Sequence, residues 1–91
     1  MLLSKRDETI IQKILKYCID INETNELFGS SEDKLRENNI YMNALAMCIL
    51  QIGELTTHLS TEFKNAYSEI PWNDIRGMRN VAAHQSGRRN K

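Results

Sequence analysis

An arginine and a histidine near the end of the chain are the side chains best suited to chemistry. They stand as Arg79-Asn80-Val81-Ala82-Ala83-His84, close to a basic ending, Arg88-Arg89-Asn90-Lys91. Cleaving a phosphodiester with a neighbouring 2′-hydroxyl needs a group that moves protons near neutral pH and a permanent cation beside the pentacoordinate phosphate. Imidazole and guanidinium meet those needs, and the chemistry requires no metal or cofactor. On a straight helix, five steps of about 100° put Arg79 and His84 about 140° apart, whereas Asn80 and His84 share a face. One chain therefore need not complete a site alone. An in-line cleavage is also best served by both a base and an acid; this segment offers one histidine, which a twofold dimer would double. Spacing alone fits equally well an exposed arginine and a histidine favoured by the negative end of a helix dipole.

These residues need a helical scaffold, and the hydrophobic pattern supplies one. Ser4, followed three residues later by Asp7, resembles a capping box and predicts a helix start. Ile10, Ile14, Tyr17 or Cys18, Ile21 and Phe28 then recur at helical spacing, and Gly29 ends the run. Ser30 or Ser31 with Glu32 and Asp33 predicts a second long helix, with a seam of Met42, Leu45, Ile49, Ile52, Thr56 and Leu59. Gly53 sits beside that seam. A helical glycine costs about 1 kcal/mol against alanine, which a close approach of another helix would offset. Ser60 to Glu69 reads as a loop with at most a short helical turn. Ile70-Pro71-Trp72 starts a third helix, anchored by Trp72, with Ile75, Met78, Val81 and Ala82 as a short apolar stripe.

Composition narrows the function classes. Lys plus Arg and Asp plus Glu both number 12, so any contact with nucleic acid must come from a local cluster, of which the basic ending is one. The two cysteines, Cys18 and Cys48, lack metal-ligand or CxxC spacing and read as small buried hydrophobes. His58, four residues after Glu54, reads as the partner in a surface pair. The scattered aromatic residues read as packing rather than a base-stacking platform. No run approaches the roughly 18 apolar residues of a membrane span, and the start MLLSKRDE lacks a signal-peptide pattern, so the expected compartment is the cytoplasm. At 91 residues the chain is expected to form one domain of modest stability, to which a second copy would add.

The segment Ile70-Pro71-Trp72-Asn73-Asp74-Ile75-Arg76-Gly77-Met78-Arg79-Asn80-Val81-Ala82-Ala83-His84 resembles the IPW-x-x-I-x-GMRN-x-x-x-H signature of the HepT-like ribonucleases. Lys5-Arg6-Asp7 and Gln51-Ile52-Gly53-Glu54 also resemble that family, so the similarity spans nearly the whole chain. The resemblance implies an all-α, antiparallel helical bundle of HEPN type over residues 1–91, with two long helices, a shorter third, and the family's final helix missing. It further implies a homodimer in which two Arg-x4-6-His motifs face one cleft and cut RNA without metal. Arg79 and His84 take the catalytic roles. Asn80, matching the polar residue after the motif's arginine, and Arg76 are candidates for binding or orienting RNA. Such proteins act as toxins paired with a nucleotidyltransferase antitoxin of the MNT type, in a type VII-like toxin–antitoxin system. That antitoxin attaches AMP to a tyrosine two residues after the histidine. Here Ser86 stands in that place and is the candidate modification position. Ser86 and the stop at Lys91 also fit a truncated or catalytically inactive module that dimerises and binds the nucleotidyltransferase. A third reading is nucleotide binding in the cleft without turnover.

Overall fold

The computed structural model describes residues 3–89, with side chains as far as His84. Five helices follow one another: α1 (Lys5–Phe28), α2 (Glu32–Glu37), α3 (Asn39–Thr57), α4 (Thr61–Ala66) and α5 (Trp72–Arg89). No strand occurs among the described residues, so the all-α bundle expected from the sequence is the observed architecture. α3 is the central helix, with α1 packed on one side of it and α5 on the other.

Both packings are antiparallel, as residue contacts along their lengths show. Ile10, early in α1, packs with Leu59 just past the end of α3, and Phe28 at the end of α1 stacks on Tyr41 at the start of α3, with ring centroids 5.0 Å apart. On the other side, Arg79 lies against Gly53, while Met78, Val81 and Ala82 face a groove with Met42, Leu45 and Ala46.

Local chemistry sets the helix boundaries. The Ser4 hydroxyl accepts from the Asp7 amide at 3.0 Å, capping α1, and Gly29 ends it at φ 96° with its N–H donating to the Asn25 carbonyl. Asp7 does more than favour the helix dipole. Its carboxylate is buried and crosses to the far end of α3, accepting from the Ser60 amide at 2.9 Å and from the Ser60 hydroxyl at 2.7 Å. Those bonds hold its carboxyl below the usual aspartate range, the hydroxyl contributing most and the amide next. Ser60 in turn caps α4 by accepting from the Phe63 amide. Beneath this clamp, Ile10, Leu59 and Phe63 form the core cluster, each burial contributing about 1.5–3 kcal/mol.

Four expectations need correction or refinement. The second helix is interrupted at Asn38, whose backbone is extended and whose side chain accepts from the amides of Ile40 and Tyr41, so that α3 starts afresh with its own cap. The Ser60–Glu69 stretch contains a six-residue helix, held by the Ser60 cap. α5 is the shortest of the three long helices, but at 18 residues it runs on to Arg89, beyond the motif histidine. Cys48 is buried as expected, whereas Cys18 is exposed, because α1 presents only one face to α3 and Cys18 falls off it.

Candidate active site

The candidate residues lie on α5, whose start is fixed by Trp72. Its indole Nε1–H donates to the Tyr67 carbonyl at 3.2 Å, and its ring meets Phe63 edge-on at 6.2 Å. Pro71 precedes the helix, and its carbonyl accepts from the amides of Asp74 and Ile75. From this anchor, Ile75 and Ala82 turn toward α3, and Arg79 falls between them on the same side.

Arg79 lies across Gly53. A Cβ built on Gly53 would stand 2.3 Å from Arg79 Cβ and 2.7 Å from its Cγ, so only glycine lets the arginine stem cross α3 at this height. This is the close approach expected of that glycine. Beyond the stem, Arg79 Nε donates to Glu54 Oε1, and Arg79 Nη1 donates to Asn80 Oδ1 at 3.0 Å. The Arg79 side chain stays about one-third exposed, so the ion pair with Glu54 fixes the guanidinium without sealing it from solvent. Fixing an arginine in this way lowers the rotamer entropy lost when it meets a phosphate.

Asn80 draws the guanidinium toward one side of α5. Arg76, Asn80 and His84 follow at intervals of four, so they form a stripe on that side, and all three are exposed. Arg79 and Asn80 are thus brought together by a hydrogen bond. Arg76 and His84 flank them one turn away, and neither is hydrogen-bonded to Arg79 among the described residues. Ser86 belongs to α5, but its side chain, like those of Arg88, Arg89 and Lys91, lies outside the described residues.

Glu54 is the residue that sequence reasoning misplaced. Its carboxylate pairs with Arg79 on the neighbouring helix rather than with His58, and His58 instead ends α3 as its C-terminal cap residue. The available signal was Gly53: a carboxylate next to a glycine that marks a helix crossing is well placed to reach the other helix.

Round the helix from the stripe of Arg76, Asn80 and His84, α5 carries Met78 and Val81, 54% and 69% exposed, and Val81, three residues before His84, is that histidine's neighbour on the helix surface. With Leu35, Met42, Leu45 and Ile49 they line an open apolar groove of about 650 Å³ between α3 and α5. Among the described residues, no three His, Cys, Asp or Glu side chains converge as a metal-binding group, and no helix is long and apolar enough to cross a membrane.

Residues 8–88, which include every element of this site, match the family described as Ribonuclease HepT-like. The chain belongs to the HepT-like ribonuclease family. Two curated proteins are similar to it. "Putative RNase MJ1380" of Methanocaldococcus jannaschii is 25% identical over 84 residues, covering 91% of this chain and 75% of the relative. "Putative RNase TTE0752" of Caldanaerobacter subterraneus subsp. tengcongensis is 27% identical over 81 residues, covering 89% and 70%. No solved structure matches the chain closely. Membership in a HepT-like family of the HEPN superfamily makes the chain a ribonuclease, with RNA as its substrate class.

Proposed function

We propose that this HepT-like chain is a metal-independent endoribonuclease, the toxin of a type VII-like HEPN/MNT toxin–antitoxin pair, acting as a homodimer in the cytoplasm. The observation that carries the reading is the anchoring of Arg79: its stem is held by Gly53, its Nε by Glu54 and its Nη1 by Asn80, with the guanidinium beside the stripe that holds His84.

In this mechanism RNA lies along the Arg76, Asn80 and His84 stripe. The neutral imidazole of His84 takes the proton of a ribose 2′-hydroxyl as its oxygen attacks the adjacent phosphorus. Arg79 stabilises the extra charge on the phosphoryl oxygens, and the 5′-oxygen leaves with a proton from the imidazolium of the second copy. The products are a 2′,3′-cyclic phosphate and a 5′-hydroxyl. General acid–base catalysis of this kind contributes about 10²–10⁴-fold, and one preorganised donor to the developing charge about 10²–10³-fold. The open groove beside Met78 and Val81 supports the dimer, since a second copy would remove that apolar surface from water. Regulation falls to a nucleotidyltransferase, with the Ser86 hydroxyl as the candidate acceptor of AMP in place of the family's tyrosine.

The test is digestion of single-stranded RNA by the full chain in excess EDTA, alongside His84→Ala. Cleavage by the parent and none by the variant, with the same oligomer size in gel filtration, is the expected result. Cleavage that persists in His84→Ala refutes the assignment. A dimer that is inert in both forms favours instead a catalytically inactive partner-binding module.

A further inference from the structure

We infer that a cationic groove at the junction of α1 and α3, about one helical turn along α3 from Glu54, is a second subsite for the RNA backbone. Lys5, Arg6, Thr9 and Lys13 of α1 line it, facing Leu55 and His58 at the end of α3, around an open volume of about 470 Å³. The inference rests on the ribonuclease reading above and assigns a second contact region to the same substrate.

Three observations carry it. The first is charge: the chain has equal numbers of acidic and basic residues, yet this groove is lined by three permanent cations and a histidine, with no carboxylate among its lining residues. Asp7, the acid next to Arg6 in sequence, is buried and directs both oxygens at Ser60. The second is availability, for none of Lys5, Arg6 or Lys13 is in an ion pair among the described residues, whereas Arg36 and Arg79 both are. The third is position. His58, in this groove, follows Glu54 by four residues on α3, and Glu54 holds Arg79. Residues four apart share a helix face with Cβ atoms about 5–6 Å apart. The groove therefore begins about one helical turn along α3 from the residue that holds Arg79. Apolar side chains on the groove floor, Ile10 and Leu55, suit sugar and base edges, while the cations flank them.

Each phosphate contact on a single strand contributes about 0.7 to the slope of log affinity against log salt. The double substitution Arg6→Gln and Lys13→Gln should therefore lower that slope by about 1.4 and weaken binding roughly tenfold at 0.15 M salt. The experiment measures fluorescence anisotropy of a labelled single-stranded RNA across a potassium chloride series. Both proteins are full chains carrying His84→Ala, one with and one without the two glutamines, and thermal melts show that both are folded. Both side chains are exposed, so the melts should coincide. The expected weakening with a shallower slope supports the subsite, and equal affinity and equal slope overturn it. Cleavage assays on chains that retain His84 separate this idea from the reading beneath it. A parent chain that cuts no RNA, while the groove variant still loses affinity, sinks the catalytic assignment and leaves the subsite standing. An active parent with unchanged groove affinity does the reverse.

Discussion

Replacing Gly53 with alanine should separate the stability of this bundle from its activity, because the same methyl group acts on each in a different way. Ordinary carbon–carbon contact lies at about 3.5–4.0 Å. The added Cβ would begin at 2.3 Å from Arg79 Cβ and 2.7 Å from Cγ, so α3 and α5 must part by roughly 1–1.5 Å, or the arginine stem must leave the crossing. Overpacking of this kind costs about 1–3 kcal/mol, while alanine in place of a helical glycine returns about 0.8–1.0 kcal/mol. The net destabilisation should be about 0–2 kcal/mol, a melting-point fall of up to roughly 10 °C for a domain this size. Activity should suffer more, because about 1 Å of misplacement at a reacting centre can cost roughly 10²-fold. Gly77→Ala is the internal control for stability: within one chain a Cβ there meets nothing within 4 Å, so the helix gain should raise the melting point by about 4–8 °C. RNA digestion rates and thermal melts on the two variants decide the matter. If Gly53→Ala melts higher, as Gly77→Ala should, and cuts RNA at the parent's rate, the claim that Arg79 is seated on Gly53 is wrong.

Further outcomes follow from single contacts. Glu54→Gln keeps an acceptor for Arg79 Nε and should retain most cleavage, whereas Glu54→Ala should lose about tenfold or more; equal rates for the two would remove Glu54 from the positioning of Arg79. Asp7 has a folded-state pKa depressed below 3.8, so its contribution is fully present above that value and fades as pH falls through the lower folded one. Thermal melts from neutral pH down to about pH 2.5 should show a steeper acid decline for the parent than for Asp7→Asn, and parallel declines would contradict the Asp7–Ser60 clamp. Cys18 is exposed while Cys48 is buried, its thiol pushed up by burial and then by the charges of Asp20 and Cys18. A brief maleimide treatment of the native protein at neutral pH should therefore label Cys18, and peptide mapping that finds equal labelling of Cys48 would contradict this packing.

The long-range arrangement was legible wherever the sequence carried a physical constraint with few solutions. Gly53 inside an apolar helix demanded a close neighbour, and Arg79 is that neighbour. Ser4 and Gly29 marked the ends of α1 because an orphan amide and a left-handed turn admit few residue types. The break at Asn38 is not legible in the sequence because the helical period continues on both sides of it and only the side-chain bonds of asparagine reveal a restart. The Glu54–Arg79 pair was hidden for a related reason. An i,i+4 partner within a helix can be read from spacing, whereas a partner 25 residues away depends on which helices meet. Cys18 is exposed although it falls on the apolar period, because a stripe read from period alone is wider than the face that α3 covers.

Placing the arginine stem inside the α3–α5 crossing makes the two motif residues unequal in what their loss does to the fold. The imidazole at position 84 is exposed, so a chain that has lost it should still fold and accumulate. Removing the arginine hollows the contact between two helices and strands the Glu54 carboxylate, so its loss should leave a weaker protein. On the proposed mechanism, inactive descendants should accordingly be found more often with the histidine altered than with the arginine gone.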